Sequence, residues 1–177
     1  TPAQWTIHSI VPARFDAYIS RMRTLKTHAL LPFSLVDHRG EEVTLGAAQQ
    51  RASLLFFGYT YCPDFCPTTP SRLVHVKERL GADADSVDIA FVSVDPQRDT
   101  PDVLASYLAY FPIRVHGLTG SRAAINQIKA SYQAKYALGE PNERGDYTVD
   151  HNTSIYLLDT FGRVRHVFNH DAKPDEI

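Results

Sequence analysis

Apolar residues fall into short runs separated by polar stretches, and the spacing inside each run predicts its element. Ser53 to Phe57 is a compact, aromatic-rich apolar run that stops at Gly58. It reads as a buried central strand, and Val87 to Val94 reads as a second. Two runs from Leu31 to Val36 and from Glu42 to Leu45 flank Asp37-His38-Arg39-Gly40 and predict a hairpin. Ser154 to Asp159 and Val164 to Phe168 predict another around Thr160-Phe161-Gly162-Arg163, and Val115 to Leu118 is a short strand candidate. Between these lie segments of helical period. Ala13 to His28 carries Phe15, Tyr18, Ile19, Met22 and Leu25 on one stripe. Ser71 to Leu80 carries Leu73, Val76 and Leu80 and ends at Gly81. Thr100-Pro101 opens a helix to Phe111, and Ser121 opens one to about Lys135. A polar loop follows from Gly139 to Gly145. Strands alternating with helices and then a closing hairpin predict an α/β sandwich with a mixed sheet. Its ligand site belongs at the C-terminal ends of the parallel strands.

Composition narrows the class without deciding it. A chain of 177 residues with 44% hydrophobic and 21% charged content predicts one soluble globular domain with a substantial core. Its 18 basic and 20 acidic residues give a net charge of -2, which removes the electrostatic case for nucleic acid. No apolar run is long enough to span a bilayer, and no signal peptide is recognisable. The chain opens without Met and stops at Ile177, shortly after Pro174, where a helix is expected to begin. Both ends suggest an excised or processed fragment, with room for a membrane anchor outside it. Residues 1–30 read as an N-terminal extension and 31–177 as the main domain. Arg14, Arg21, Arg23 and Lys26 make the extension's helix basic, so it either lies on an anionic surface or packs on the domain with its charges in water. Packing is the simpler expectation.

The chemistry gathers after the first core strand. Cys62 and Cys66 are the only cysteines, four positions apart, in a stretch where Pro63, Pro67 and Pro70 forbid a regular helix. Thr69-Pro70 reads as the N-cap and first turn of the helix that follows. Both disulfide closure and metal chelation are open at that spacing. Proximity to a helix N-terminus favours thiolate over thiol, the form that binds metal or attacks a disulfide. Two cysteines alone make a poor metal site, so a third donor matters. Of eight histidines, His8, His28, His38, His75, His116, His166 and His170 sit where solvated side chains are expected. His151 differs, because it closes a polar loop just before a predicted strand, with Asp150 beside it to orient or polarise the ring.

Three segments carry a resemblance. Tyr59-Thr60-Tyr61-Cys62-Pro63-Asp64-Phe65-Cys66-Pro67-Thr68-Thr69, Val94-Asp95-Pro96-Gln97-Arg98-Asp99-Thr100-Pro101 and Asp146-Tyr147-Thr148-Val149-Asp150-His151 closely resemble the Sco/SenC family. Those are thioredoxin-like proteins that assist copper delivery to cytochrome c oxidase. The likeness runs from about Leu31 to Phe168. It implies a thioredoxin-like sandwich, copper ligands Cys62, Cys66 and His151, and Asp95 as an acidic neighbour of the site. It also implies a membrane-tethered domain on the periplasmic or intermembrane-space side, with a copper-accepting oxidase subunit, other copper chaperones or thiol reductants as partners. Pro70, where an apolar residue is common, and the extension before Leu30 depart from the pattern.

The donor set agrees with copper on its own terms. Two soft thiolates suit Cu(I), and an added imidazole gives a site that also holds Cu(II). With Met22 the only methionine, a methionine-only copper site is excluded. Zinc stays open, though a closed structural site wants a fourth protein ligand. The competing function uses the same cysteines as a redox pair, a thiol-disulfide oxidoreductase that reduces an oxidase subunit's copper-site cysteines. Three residues rather than two separate the pair, which argues against a general thioredoxin. A peroxidase is weaker still, since Thr60 stands two and not three residues before Cys62. A binding module with a structural disulfide would leave His151 without a role.

Overall fold

The computed structural model describes residues 33–45, 51–61, 68–132, 134, 136–139, 149–151, 154–169 and 171–177; the side chains of 45, 136–138 and 149–151 fall outside that description. The extension 1–30, with the basic helix expected in it, lies outside the described residues.

The all-buried strand β3 (Ala52–Gly58) is the centre of the molecule. It pairs in parallel with β4 (Val87–Ser93), which pairs in parallel with β5 (His116–Thr119). On its other side β3 pairs antiparallel with β8 (Ile155–Leu158), and β8 with β9 (Val164–Phe168). The hairpin of β1 (Phe33–Asp37) and β2 (Glu42–Leu45) is added antiparallel to β5. The resulting mixed sheet of seven strands has the order β2-β1-β5-β4-β3-β8-β9.

Because β3 is covered on both faces, its residues are apolar without alternation, and neighbours still divide between two cores. Leu54 and Phe56 face the core of Leu73, Val76, Phe91 and Leu104, contributed in part by helices α1 (Thr68–Leu80) and α2 (Pro101–Leu108). Leu55 and Phe57 face the core of Val92, Leu118, Ile125 and Ile128, closed by helix α3 (Arg122–Ser131). This is the expected sandwich.

Local signals set most boundaries. Thr100 accepts a hydrogen bond from the Val103 N–H and Ser121 one from the Ala124 N–H, so both predicted N-caps hold. Helix α1 instead begins by Thr68, which places Thr69 and Pro70 inside its first turn, where a missing N–H breaks no helical bond. At its far end Gly81 takes φ +53°, and the chain continues as a 3-10 helix from Gly81 to Ser86. Helices α2 and α3 stop earlier than their periodicity predicts. Tyr110 and Phe111 donate to carbonyls three residues back, which tightens the end of α2 into a turn. Tyr132 leaves helical geometry at the end of α3 and packs its ring edge-on against Phe57 and Tyr156. A second, two-stranded sheet pairs β6 (Tyr136–Leu138), to which no element was assigned, with β7 (Val149–His151), where His151 was expected at the end of a polar loop. At the C-terminus, 174–176 form a turn in which the Glu176 carboxylate accepts from the Lys173 N–H at 2.7 Å, as in a capping box.

Candidate metal centre

Parallel pairing delivers two loops to one place. Gly58 and Ser93 end β3 and β4 opposite each other, and the Val94 N–H donates to the Gly58 carbonyl at 2.9 Å. The segment that leads to the cysteines and the segment that starts at Asp95 therefore leave the sheet side by side.

The second segment forms a rigid acidic knot. Asp95 is fully buried, and its carbonyl accepts from the N–H groups of Arg98 at 3.2 Å and Asp99 at 3.0 Å. Its carboxylate accepts from Arg98 Nε and lies 3.8 Å from Arg122 Nη2, while Arg122 Nη1 donates to the Val94 carbonyl at 3.1 Å. Such a buried carboxylate is tolerable because cations face it.

Asp99 faces the other way, toward the cysteine segment. Its carboxylate accepts from the Thr60 hydroxyl at 2.6 Å, the Thr60 N–H at 3.1 Å and the Ser93 hydroxyl at 2.5 Å. Burial pushes the Asp99 carboxyl above the usual carboxylate range; the Ser93 and Thr60 hydrogen bonds oppose this, and nearby Asp95 reinforces it. Arg98 stacks over the rings of Tyr59 and Tyr61, 5.6 and 5.1 Å from their centroids. Thus the chain just before Cys62 is clamped by a carboxylate below and a guanidinium against its aromatic residues.

The histidine segment arrives at the same end. Ile155 of β8 pairs with Phe56 of β3, so β8 starts where β3 finishes, and His151 precedes Ile155 by four residues. In β7 the His151 backbone pairs with Tyr136 of β6, and that of Asp150 with Ala137. Cys62 and Cys66 lie outside the described residues, as do the side chains of His151 and Asp150. Of the expected site residues, Asp95 is described in full. Among the described residues no group of three His, Cys, Asp or Glu side chains could hold a metal elsewhere.

Thr60, Ser93, Arg98, Asp99 and Arg122 tie the loops together at this end of the sheet, a network that sequence reasoning missed. Thr60, Arg98 and Asp99 stand inside two of the recognised segments, which was the available signal. One expectation about histidine also fails. His116 is buried, its Nε2 3.9 Å from Asp88 Oδ1, and burial together with the nearby Arg114 and Arg39 guanidiniums pushes its pKa down to about 3. His75 and His166 are exposed as expected.

A family model described as SCO1/SenC matches residues 21–177. The chain belongs to this family. A structure of Bradyrhizobium japonicum ScoI with copper bound is 42% identical, covering 82% of this chain and 92% of that one, with a TM-score of 0.75. The mitochondrial SCO2 homolog of Bos taurus is 39% identical over 147 residues, 82% of this chain and 55% of that protein. The chain spans about half the length of the curated mitochondrial relatives it matches. A further structure, with 27% identity, a TM-score of 0.66 and coverage of 85% of this chain and 88% of that one, is described as identifying a disulfide switch in BsSco, a member of the Sco family of cytochrome c oxidase assembly proteins. The mixed seven-stranded sheet with helices on both faces is the thioredoxin-like fold of these Sco structures.

Proposed function

We propose that this SCO1/SenC chain is a copper metallochaperone for cytochrome c oxidase assembly, holding one copper ion with the Cys62 and Cys66 thiolates and the His151 imidazole. The observation that carries the reading is the clamp on Thr60, because it anchors the cysteine segment at the end of the sheet from which β8 and the His151 segment also start. Two residues of chain span at most about 7 Å, so Cys62 stays tethered to that anchor. Helix α1 begins two residues after Cys66, where unpaired amides favour thiolate. Two thiolates and an imidazole form a soft donor set that accepts both Cu(I) and Cu(II). Likeness to a protein solved with copper bound adds support.

In this reading copper is cargo. It passes to the accepting oxidase subunit by ligand exchange, Asp150 serving to steady the imidazole and Asp95 holding the neighbouring loop. Oxidation of Cys62 and Cys66 to a disulfide removes both thiolates and abolishes loading. The domain works from a membrane tether on the periplasmic or intermembrane-space side, where the pair needs a reductant before it loads. No helix among the described residues is long and apolar enough to cross a membrane, so the tether is sought outside them.

The disulfide switch described for BsSco favours a second reading of the same pair. Here the two thiols reduce a partner disulfide, yielding a Cys62–Cys66 disulfide as two electrons and two protons pass to the partner's sulfurs. Anaerobic titration of the reduced protein with Cu(I) and Cu(II), repeated with His151→Ala and with Cys62→Ser/Cys66→Ser, tests the first reading. Loss of stoichiometric binding in the cysteine variant and weaker Cu(II) binding in the histidine variant are expected. Undiminished binding in both would remove the assigned site, and rapid disulfide reduction without copper affinity would establish the second reading instead.

A further inference from the structure

Away from the cysteine segment, the start of β5 borders a second site. His116, the first residue of β5, pairs with Ala90, three residues down β4 from Ser93. Beside it is a cavity of about 430 Å³, lined by His38, Arg39, Arg114 and His116 on one hand and by Leu108, Phe111 and Ile113 on the other. That volume is in the range of small-molecule sites. Its wall is packed to contact. A Cβ at Gly117 would lie 2.5 Å from Leu108 Cδ1 and 3.4 Å from the Cβ atoms of His38 and Leu104, so α2, β5 and the His38 turn meet closely here and a larger residue would have to displace the Leu108 side chain.

The polar side of the cavity is prepared for negative charge. His38 Nδ1 accepts from the Gly117 N–H at 3.2 Å, and the His38 N–H donates to the Gly117 carbonyl at 2.9 Å. With Nδ1 accepting, the neutral ring carries its proton on Nε2, a donor with no partner among the described residues. Arg39 is balanced by Asp37 and Glu41, and Arg51 by Asp88. Arg114 is exposed and makes no ion pair or hydrogen bond among the described residues. Its uncompensated guanidinium therefore sets the sign of the cavity. Burial is the main cause of the depressed His116, and the Arg114 guanidinium adds to it.

We propose that this cavity binds a small organic anion, its oxyanion head between the Arg114 guanidinium and His38 Nε2–H and its apolar body against Leu108, Phe111 and Ile113. An inorganic anion would leave the apolar wall unused. A neutral apolar ligand would leave the cationic side unanswered. Carboxylate and phosphate heads share the required chemistry, since guanidinium and imidazole N–H groups donate to either.

The whole chain, labelled with 15N, is titrated with phenyl phosphate and in parallel with benzoate, inorganic phosphate and benzamidine. Saturable shifts at the amides of Arg39, Leu108, Arg114 and Gly117 are expected with one or both aromatic anions, the tighter naming the head group. Inorganic phosphate should bind more weakly, and benzamidine, which presents the ring with a positive charge, not at all. Arg114→Glu, an exposed substitution that leaves the urea midpoint in place, should weaken the aromatic anion about tenfold or more. Absence of saturable shifts with both aromatic anions, equal response to benzamidine, or unchanged affinity in Arg114→Glu would each overturn the assignment.

Discussion

Replacing Thr60 by Val tests whether the clamp beneath the cysteine segment serves the metal or only the fold. Valine keeps the shape and deletes the hydroxyl that donates to Asp99 at 2.6 Å, leaving the 3.1 Å bond from the Thr60 N–H. A hydrogen bond to a charged, buried partner contributes about 1.5–3 kcal/mol. If that energy holds the segment in its binding conformation, losing it lowers the binding-competent fraction, and apparent affinity falls with that fraction. The ceiling is about 10- to 100-fold. The remaining N–H bond and the Arg98 stack reduce it, so a fall of about threefold or more is expected in Cu(I) competition assays. Thr60→Ser, which keeps the hydroxyl, should bind as the wild type does, and urea unfolding on the same samples reports the effect on the fold. A Thr60→Val protein with wild-type Cu(I) affinity but a lowered urea midpoint would refute the reasoning by confining the bond to stability.

Three further outcomes follow from buried groups. His116 stays neutral in the folded state with a pKa of about 3 against 6.5 unfolded, so its stabilisation is present above pH 6.5 and is lost as pH falls toward 3. Between pH 7 and pH 4 this removes about 3 kcal/mol, which urea unfolding should show flattened in His116→Gln; equal losses in both proteins would contradict it. Asp37 is fully buried; burial raises its pKa, but hydrogen bonds from the Glu41 and Arg39 N–H groups and Arg39 Nε outweigh this and leave it lowered. Its contribution is present above the unfolded carboxylate pKa and lost as pH falls through the folded value. Asp37→Asn should therefore cost about 1–3 kcal/mol at pH 7 and progressively less in acid, read from the same unfolding curves. Gly117→Ala drives a methyl against Leu108 and should destabilise the protein by about 1–3 kcal/mol in thermal melts; an unchanged midpoint would mean that Leu108 moves aside freely.

What could be read in advance depended on how local its cause was. The buried β3 follows from an unbroken apolar run, and the starts of α2 and α3 follow from Thr100-Pro101 and Ser121, whose side chains cap within three residues. The end of α3 does not, because Tyr132 leaves the helix to meet Phe57 and Tyr156, residues far away in sequence. The short strands β6 and β7 have too few residues to show alternation, and their partner is supplied by the fold. His116 and Asp99 were illegible for the same reason. Each looks like a surface polar residue until neighbouring strands bury it. Within the candidate site, the spacing of Cys62 and Cys66 left disulfide closure and metal chelation open, and the resemblance to the Sco/SenC family supplied copper, with His151 as its third ligand. The clamp from Asp99 to Thr60 required the parallel register of β3 and β4.

X-ray absorption at the copper edge of the reduced protein, loaded with one equivalent of copper, tests the central claim most directly. The account predicts scattering from two sulfurs and one imidazole, the imidazole contribution vanishing in His151→Ala while both sulfurs remain. Imidazole scattering that persists in that variant, or a first shell without sulfur, would contradict it.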